Sequence, residues 1–121
     1  MATDPGKHVY LHEQNGSICG FVSFRFPRNR TLLIDEIAVD SKYRGQKLGA
    51  HLMRWAEHCG RHRNCTAIEL WGVGDKVEWY RKLGYELSGR PALRIAGREF
   101  LLMHKKVLFN LANDDTLSMG G

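Results

Sequence analysis

A strand–turn–helix junction at residues 37–50 constrains this chain more than any other part of it. The apolar run Ile37, Ala38 and Val39 leads into a short basic turn and then into an amphipathic helix. Arg44 and two glycines fall where the helix begins. Such a junction presents unpaired backbone N–H groups and the positive end of a helix dipole. It therefore predicts an anion site that suits a phosphate or a pyrophosphate.

The pattern of the whole chain predicts an α/β fold with a mixed sheet. The expected strands are at residues 8–13, 17–26, 31–39, 66–71, 85–87 and 98–107, and the expected helices are at 45–59 and 75–83. Asn15-Gly16 and residues 27–30 are turn signals, so the first three strands form an antiparallel meander. A strand–helix–strand crossover follows, and the element order is β-β-β-α-β-α-β-β.

Two boundary signals and one apolar stripe refine the helices. Gly60 fits a C-terminal cap of the first helix, and Asp75 fits the N-cap of the second. Residues of the first helix recur at helical spacing on one apolar face, namely Leu48, Leu52, Trp55, Ala56 and Cys59. We expect this face to cover the sheet.

The composition is that of one ordinary globular domain. The chain has 121 residues, of which 43% are hydrophobic and 26% are charged. We expect a single domain at residues 7–108, with flexible tails at 1–6 and 109–121. No apolar run is long enough to cross a membrane, and the first residues lack the pattern of a signal peptide. We therefore expect an intracellular, cytoplasmic protein whose three cysteines are reduced.

The net charge of +5 favours an anionic partner only weakly. A nucleic-acid-binding protein usually adds an aromatic stacking platform or a known module. We find neither in the sequence, which disfavours nucleic acid as the partner. A phosphorylated small molecule explains the basic residues equally well.

Two motifs together resemble the GNAT superfamily of N-acetyltransferases. Residues 44–49, Arg-Gly-Gln-Lys-Leu-Gly, resemble the family's loop for the pyrophosphate of acyl-CoA. Residues 79–85, Trp-Tyr-Arg-Lys-Leu-Gly-Tyr, resemble its later tyrosine motif. Both occur in the family's order on the expected elements, and the likeness covers about residues 17–107. Residues 34–43 are most similar to glucosamine-6-phosphate N-acetyltransferases.

The resemblance implies an enzyme that moves an acetyl group from acetyl-CoA to a primary amine by direct attack, without a metal. The cofactor-binding residues that it implies are Ile37, Ala38, Val39, Arg44, Gly45, Gln46, Lys47, Leu48, Gly49, Ala50 and Lys82. Lys47 stands where the family usually has the first of two glycines. The backbone N–H of Ile37 or its neighbour would polarise the thioester carbonyl.

The resemblance also suggests an acid, and the residues before the apolar run offer a base. Tyr80 matches the family tyrosine that can protonate or hydrogen-bond the departing sulfur. Glu36 and Asp35 are the candidate bases, and we favour Glu36. Strand alternation places the two carboxylates on opposite faces, so both point at the acceptor only if the strand bulges.

The chain also departs from the family pattern. The strand and helices that usually precede the meander are absent from this sequence, so the acceptor pocket is open, completed by a second subunit, or lost. An exposed sheet edge there predicts a homodimer. The rival interpretation is a module that keeps the CoA site or only the fold and acts through protein contacts. The amine acceptor stays unidentified.

One further spacing could bind a metal ion. His58 and His62 are four residues apart, which places both on one side of a helix, with Cys59 beside them. Because Gly60 is expected to end that helix, we interpret these histidines as solvated surface residues.

Overall fold

The computed structural model describes residues 4–45 and 47–107. Its elements are β1 (Asp4–Gln14), β2 (Ser17–Arg28), β3 (Thr31–Val39), α1 (Leu48–His62), β4 (Ala67–Val73), α2 (Val77–Lys82), β5 (Glu86–Leu87), β6 (Leu93–Ile95) and β7 (Arg98–Lys106). The strands form one sheet in the order β1-β2-β3-β4-β7-β5, and the three-residue β6 pairs with β7. The predicted mixed α/β fold is confirmed, and only the short β6 was not expected.

The first three strands form the predicted antiparallel meander. Asn15 and Gly16 both have positive φ, 53° and 80°, as a two-residue hairpin turn of this type requires. The second turn is tighter than predicted, because β2 runs on to Arg28 and pairs there with Thr31. Residues 4–6, expected in a tail, belong to β1. The expected tail at 109–121 lies outside the described residues.

The parallel pair β3 and β4 separates after a short contact. The two strands are in register from Thr31 with Ala67 to Ile34 with Leu70. Beyond that point β3 pairs only with β2, and β4 pairs only with β7, within the ranges described above. The two strands therefore diverge toward their carboxyl ends, and a crevice opens there.

β3 contains one residue more than the stretch of β2 that it pairs with. Ser23 is opposite Glu36 and Phe24 is opposite Ile34, so Asp35 is a β-bulge. Because of the extra residue, Asp35 and Glu36 lie on the same face of the sheet, the one away from α1. Strict alternation had placed them on opposite faces, and that prediction was wrong at this point.

The first helix is shifted along the chain relative to its prediction. It begins at Leu48 rather than residue 45, and it ends at His62 rather than residue 59. Gly60 lies inside the helix and faces the sheet. A Cβ there would lie 3.1 Å from Ile68 Cδ1 and 3.4 Å from Leu32 Cδ1. The glycine allows close contact between helix and sheet, and it does not cap the helix.

Asn64 supplies the cap that Gly60 was expected to supply. Asn64 has φ +59°, and its N–H donates to the Arg61 carbonyl at 3.0 Å. The Cys65 N–H donates to the Gly60 carbonyl at 2.9 Å. These two bonds form a Schellman motif, in which asparagine replaces the usual glycine.

The core lies between α1 and the sheet. Leu52, Met53 and Ala56 of α1 are fully or almost fully buried. Trp55, expected on the apolar face, is instead 38% exposed and stacks on Tyr10 of β1 with ring centroids 4.5 Å apart. The helix is therefore rotated slightly from the predicted face, and its tryptophan covers the outer strand.

A half-buried polar cluster ties α1 to the last strands. Glu57 accepts a hydrogen bond from the Tyr85 hydroxyl at 2.8 Å and an ion pair from Lys105 at 3.2 Å. Lys105 also donates to the Leu83 carbonyl at 2.9 Å. Burial and then the Glu57 carboxylate raise the pKa of Tyr85 above its ordinary value, so this tyrosine stays protonated.

The second helix is shorter than predicted. A 3₁₀ turn at Gly74–Lys76 precedes it, and the Val77 N–H donates to the Gly74 carbonyl. Because this bond already satisfies an amide at the helix start, Asp75 is not the N-cap. Gly84, with φ +99°, ends the helix as predicted. None of the helices in the described part of the chain is both long and apolar enough to span a bilayer.

Candidate active-site cleft

A cleft of about 990 Å³ occupies the crevice between the diverging ends of β3 and β4. Ligands of sheets with parallel strands commonly bind at such a position, outside the carboxyl ends of the strands. The residues that line it include most of those predicted from the sequence: Asp35, Glu36, Ile37, Ala38, Val39, Arg44, Gly45, Lys47, Leu48, Gly49, Ala50 and Tyr80. One cleft thus collects residues from both sequence motifs.

One wall of the cleft is a free strand edge. From Asp35 to Val39, the edge of β3 that faces β4 has no strand partner among the residues described. Backbone N–H and C=O groups on such an edge are free to bind an extended, amide-bearing chain in the manner of an added strand. Ile37 and Val39 are half-buried and also pack against the core.

The turn after β3 approaches the cleft through unusual backbone angles. Gly45 has φ +84° and Lys47 has φ +59°, both in the left-handed region. Arg44 is exposed beside the cleft, and its Nε donates to the Val39 carbonyl at 3.4 Å. Gln46, predicted to bind the cofactor, lies outside the described residues.

The start of α1 faces the same space. Lys47 is the N-cap residue and makes no side-chain capping bond. The first amide bonded within the helix is that of His51, which donates to the Lys47 carbonyl at 3.2 Å. The N–H groups of Leu48, Gly49 and Ala50 therefore have no partner within the helix, and they add to the positive charge of Arg44 and Lys47.

Lys47 gives a testable conformational prediction. A side chain in the left-handed region costs about 1–2 kcal/mol, and glycine avoids this cost. We expect Lys47→Gly to be more stable than Lys47→Ala by about 1 kcal/mol in the free energy of unfolding. Denaturant unfolding of the two variants, which lose the same charge, measures the difference.

The matched control for this comparison is Lys42, in the 3₁₀ turn Ser41–Tyr43 just before the loop. At Lys42 the order should reverse, with the glycine variant less stable than the alanine variant, because φ is not positive there. An alanine variant at residue 47 that equals or exceeds the glycine variant would contradict the left-handed conformation.

Gly49 has a packing role in addition to the one predicted from the sequence. It was expected to let the backbone approach a diphosphate, but its missing side chain also makes room for Trp79. A Cβ at Gly49 would lie 2.9 Å from Trp79 Cζ2. The Trp79 ring in turn meets the Tyr80 ring edge-on at a centroid distance of 5.0 Å. The start of α1 and the tyrosine of α2 are thus joined through one indole.

Tyr80 lies at the opposite side of the cleft, on α2. It is 9% exposed, and its ring packs closely over Gly72 of β4. Within the described residues, no hydrogen bond is found for its hydroxyl. Burial raises the pKa of Tyr80, so the hydroxyl stays protonated at neutral pH and is able to donate a proton or a hydrogen bond.

The two carboxylates of the bulge have different surroundings. Asp35 is held by Arg25, whose Nη2 and Nε lie 2.9 and 3.2 Å from Asp35 Oδ1. Glu36 is exposed, and no hydrogen bond or ion pair of its side chain is found in residues 4–45 and 47–107. Arg25 had not been singled out in the sequence, although its place on the preceding strand of the same hairpin could have indicated it.

Several other residues that line the cleft were not among the predicted site residues, and one predicted residue lies elsewhere. Arg98 and Phe100 of β7 line the cleft, as does Trp71 of β4. The pairing of β7 with β4, which brings Phe100 opposite Val73, places them there and could not be derived from local patterns. Lys82, predicted to bind the cofactor, is exposed on α2 and does not line the cleft.

The family profile for acetyltransferases of the GNAT family matches residues 1–85. The chain belongs to the GNAT acetyltransferase family. It is 33% identical over 86 residues to an uncharacterized N-acetyltransferase of Methanocaldococcus jannaschii, covering 64% of this chain and 38% of that one. It is 31% identical over 93 residues to the aminoalkylphosphonate N-acetyltransferase of Salmonella typhimurium, covering 70% and 60%. The chain thus spans 38–60% of the length of these two curated relatives.

Solved GNAT structures share the fold. A Bacillus cereus acetyltransferase superposes with a TM-score of 0.74 at 23% identity, covering 87% of this chain and 76% of that one. An aminoglycoside 6'-N-acetyltransferase complexed with coenzyme A also gives a TM-score of 0.74, at 17% identity, covering 88% and 76%. At these identities the likeness concerns the fold alone.

Proposed function

We propose that this chain is an acetyl-CoA-dependent N-acetyltransferase that transfers an acetyl group to a primary amine. One observation carries the proposal: a single cleft is lined by Arg44, Gly45 and Lys47 of the basic turn, by the free edge of β3 and by Tyr80. Membership of the family gives this arrangement its chemical meaning. The residues that line the cleft fit acetyl-CoA. Its diphosphate needs cations and free backbone N–H groups, and the amides of its pantetheine arm need a free strand edge.

The donor's binding follows from the charges of the cleft. The N–H groups that open α1, together with Arg44 and Lys47, would hold the diphosphate. The free edge of β3 at residues 37–39 would hold the pantetheine arm by backbone hydrogen bonds. This places the thioester near Ile37, whose N–H, or that of a neighbour, would polarise the thioester carbonyl.

The acyl transfer needs a base, an electrophile and an acid in that order. Glu36 would take the proton of the acceptor ammonium, directly or through a water molecule. The neutral nitrogen then forms a bond to the acetyl carbon as the carbon–sulfur bond breaks, and the nitrogen releases its second proton to solvent, which leaves a neutral amide. Tyr80 would donate its proton or a hydrogen bond to the leaving sulfur, and bulk solvent restores it. Asp35, paired with Arg25, is the less suitable base.

The acceptor that fits best is a small amine that also bears an anionic group. Arg98 lines the cleft, and no ion pair joins it to another side chain in the described ranges. It is therefore available for a phosphonate or phosphate, while Glu36 receives the amine. The aminoalkylphosphonate specificity of the Salmonella relative supports this class. Amino-sugar phosphates, suggested by residues 34–43, belong to the same class.

Two measurements test the proposal: binding of acetyl-CoA tests the donor, and release of free CoA tests the reaction. We expect acetyl-CoA to raise the melting temperature, because it binds only the folded chain. An acceptor panel of aminoalkylphosphonates, amino-sugar phosphates, polyamines and amino acids should then release free CoA with at least one anionic amine. Binding without release from any amine would instead support the rival, a CoA-binding module.

Arg44→Ala tests the diphosphate site. We expect the dissociation constant of acetyl-CoA to rise about tenfold, because a charge-assisted hydrogen bond contributes about 1.5–3 kcal/mol. Arg54→Ala is the matched control, since Arg54 is exposed on α1 and does not line the cleft. Calorimetry that finds equal affinities for the two variants would remove Arg44 from the site. The homodimer and the cytoplasmic location stay predictions from the sequence.

A further inference from the structure

The last turn of α1 carries two histidines whose ring nitrogens face each other. His58 Nε2 lies 3.1 Å from His62 Nε2, and the two rings are nearly perpendicular with centroids 4.5 Å apart. Both side chains are exposed. They had been interpreted as solvated residues only because Gly60 was expected to end the helix. Since the helix continues through His62, that objection no longer applies.

We propose that His58 and His62 together bind one divalent transition-metal ion, with Zn²⁺ as the simplest case. Zinc binds histidine nitrogen at about 2.0–2.1 Å. Two nitrogens 3.1 Å apart, each at that distance from one ion, subtend an angle of about 98° at it. This angle lies between those of octahedral and tetrahedral coordination, so the pair chelates an ion with only small side-chain rotations.

The choice of ion follows from the ligand type. Two neutral imidazoles favour Cu²⁺, Ni²⁺ and Zn²⁺ over Mn²⁺, Mg²⁺ and Ca²⁺. In the described ranges, no group of three or more His, Cys, Asp or Glu side chains is arranged around a common ion position. The remaining coordination positions therefore belong to water, and the site is a surface chelate rather than a closed structural centre.

The neighbours of the pair leave room for that water. A hollow of about 440 Å³ lies beside it, lined by His8, Phe24, Phe26, Trp55, His58, Cys59, His62 and Arg63. His8, which also lines this hollow, stacks on Phe24 with ring centroids 5.6 Å apart.

The site is separate from the proposed acetyl-transfer site. His58 is ten residues beyond Leu48, so it lies about 15 Å along the helix axis from the cleft. An ion bridging positions i and i+4 would fix the last helical turn, just before the Schellman motif at Asn64. Its effect is therefore on stability, and it is expected with or without acetyl-CoA.

Calorimetric titration of the chain with Zn²⁺ tests the proposal, using protein purified without a polyhistidine tag. We expect one ion per chain, and a melting temperature that rises with Zn²⁺ but not with Mg²⁺. His62→Gln should weaken Zn²⁺ binding more than tenfold, because even the loss of an outer-shell partner costs about 10- to 100-fold. His51→Gln, on the same helix, is the matched control and should bind Zn²⁺ as the original chain does.

A local optical signal checks the position of the ion. The Trp55 ring lies 5.8 Å from that of His58, whereas Trp71 and Trp79 line the distant cleft. Cu²⁺ should quench the fluorescence of Trp55, and Trp55→Phe should remove the quenched fraction. Absence of a Zn²⁺ heat, or equal loss in the His51 and His62 variants, would overturn the proposal. The absence of a Zn²⁺ heat is also the result expected if the two rings only form a hydrogen bond with each other.

Discussion

Tyr80→Phe is expected to lower the turnover number by about 10²- to 10⁴-fold while leaving the affinity for acetyl-CoA nearly unchanged. This is the usual range for the loss of a positioned acid. The substitution removes only the hydroxyl, so the ring still packs over Gly72 and against Trp79. Because burial raises the pKa of Tyr80, the original chain should keep this tyrosine protonated well above neutral pH.

Steady-state kinetics and calorimetry together measure this effect. Tyr10→Phe, which removes a hydroxyl from β1 outside the cleft, serves as the control and should turn over normally. A more acidic thiol leaving group, in a donor analogue, should restore part of the rate in the Tyr80 variant. Unchanged turnover with the natural donor would remove Tyr80 from the mechanism.

Glu36→Gln is expected to have the second large effect, a loss of about 10²- to 10⁴-fold in the rate at neutral pH. The amide cannot accept the proton of an ammonium, so only acceptor that is already neutral reacts. The sign of the pH dependence follows: the rate of the variant should rise with pH as the amine loses its proton in solution. Rates measured as a function of pH for the original chain and for Glu36→Gln show this difference in pH dependence.

Asp35→Asn decides between the two carboxylates. Arg25 already neutralises Asp35, so this variant should lose less activity than Glu36→Gln. Because the Asp35 side chain is only 12% exposed and Arg25 contacts both of its oxygens, this variant should also lose about 1 kcal/mol in the free energy of unfolding. If Asp35→Asn shows the larger loss and the rise of rate with pH, the base is Asp35.

The sequence predicted the elements well where their signals are local. The Asn15-Gly16 turn, the strand Thr31–Val39 and the glycine at the end of α2 are all set by neighbours in the chain. The end of α1 was missed because Gly60 is required by Leu32 and Ile68, which are distant in sequence. A glycine that makes room for a sheet looks the same in sequence as one that ends a helix.

The features of the candidate site likewise divide into those with local sequence signals and those that depend on residues distant in sequence. The turn at the start of α1, which we propose binds an anion, follows from a strand, basic residues and glycines that are adjacent in sequence. The common face of Asp35 and Glu36 does not, because it depends on a bulge that only the register against β2 reveals. Likewise Arg98 and Phe100 reach the cleft through pairing of β7 with β4.

The contact between Gly49 and Trp79 limits which residue can stand at position 49. Here an added methyl group would meet the Trp79 ring at 2.9 Å, and that ring rests on Tyr80. A loop with alanine at position 49 would therefore have to displace that ring, and Tyr80 with it, unless residue 79 were replaced at the same time. The residues at positions 49 and 79 therefore have to change together, although thirty positions separate them in the sequence.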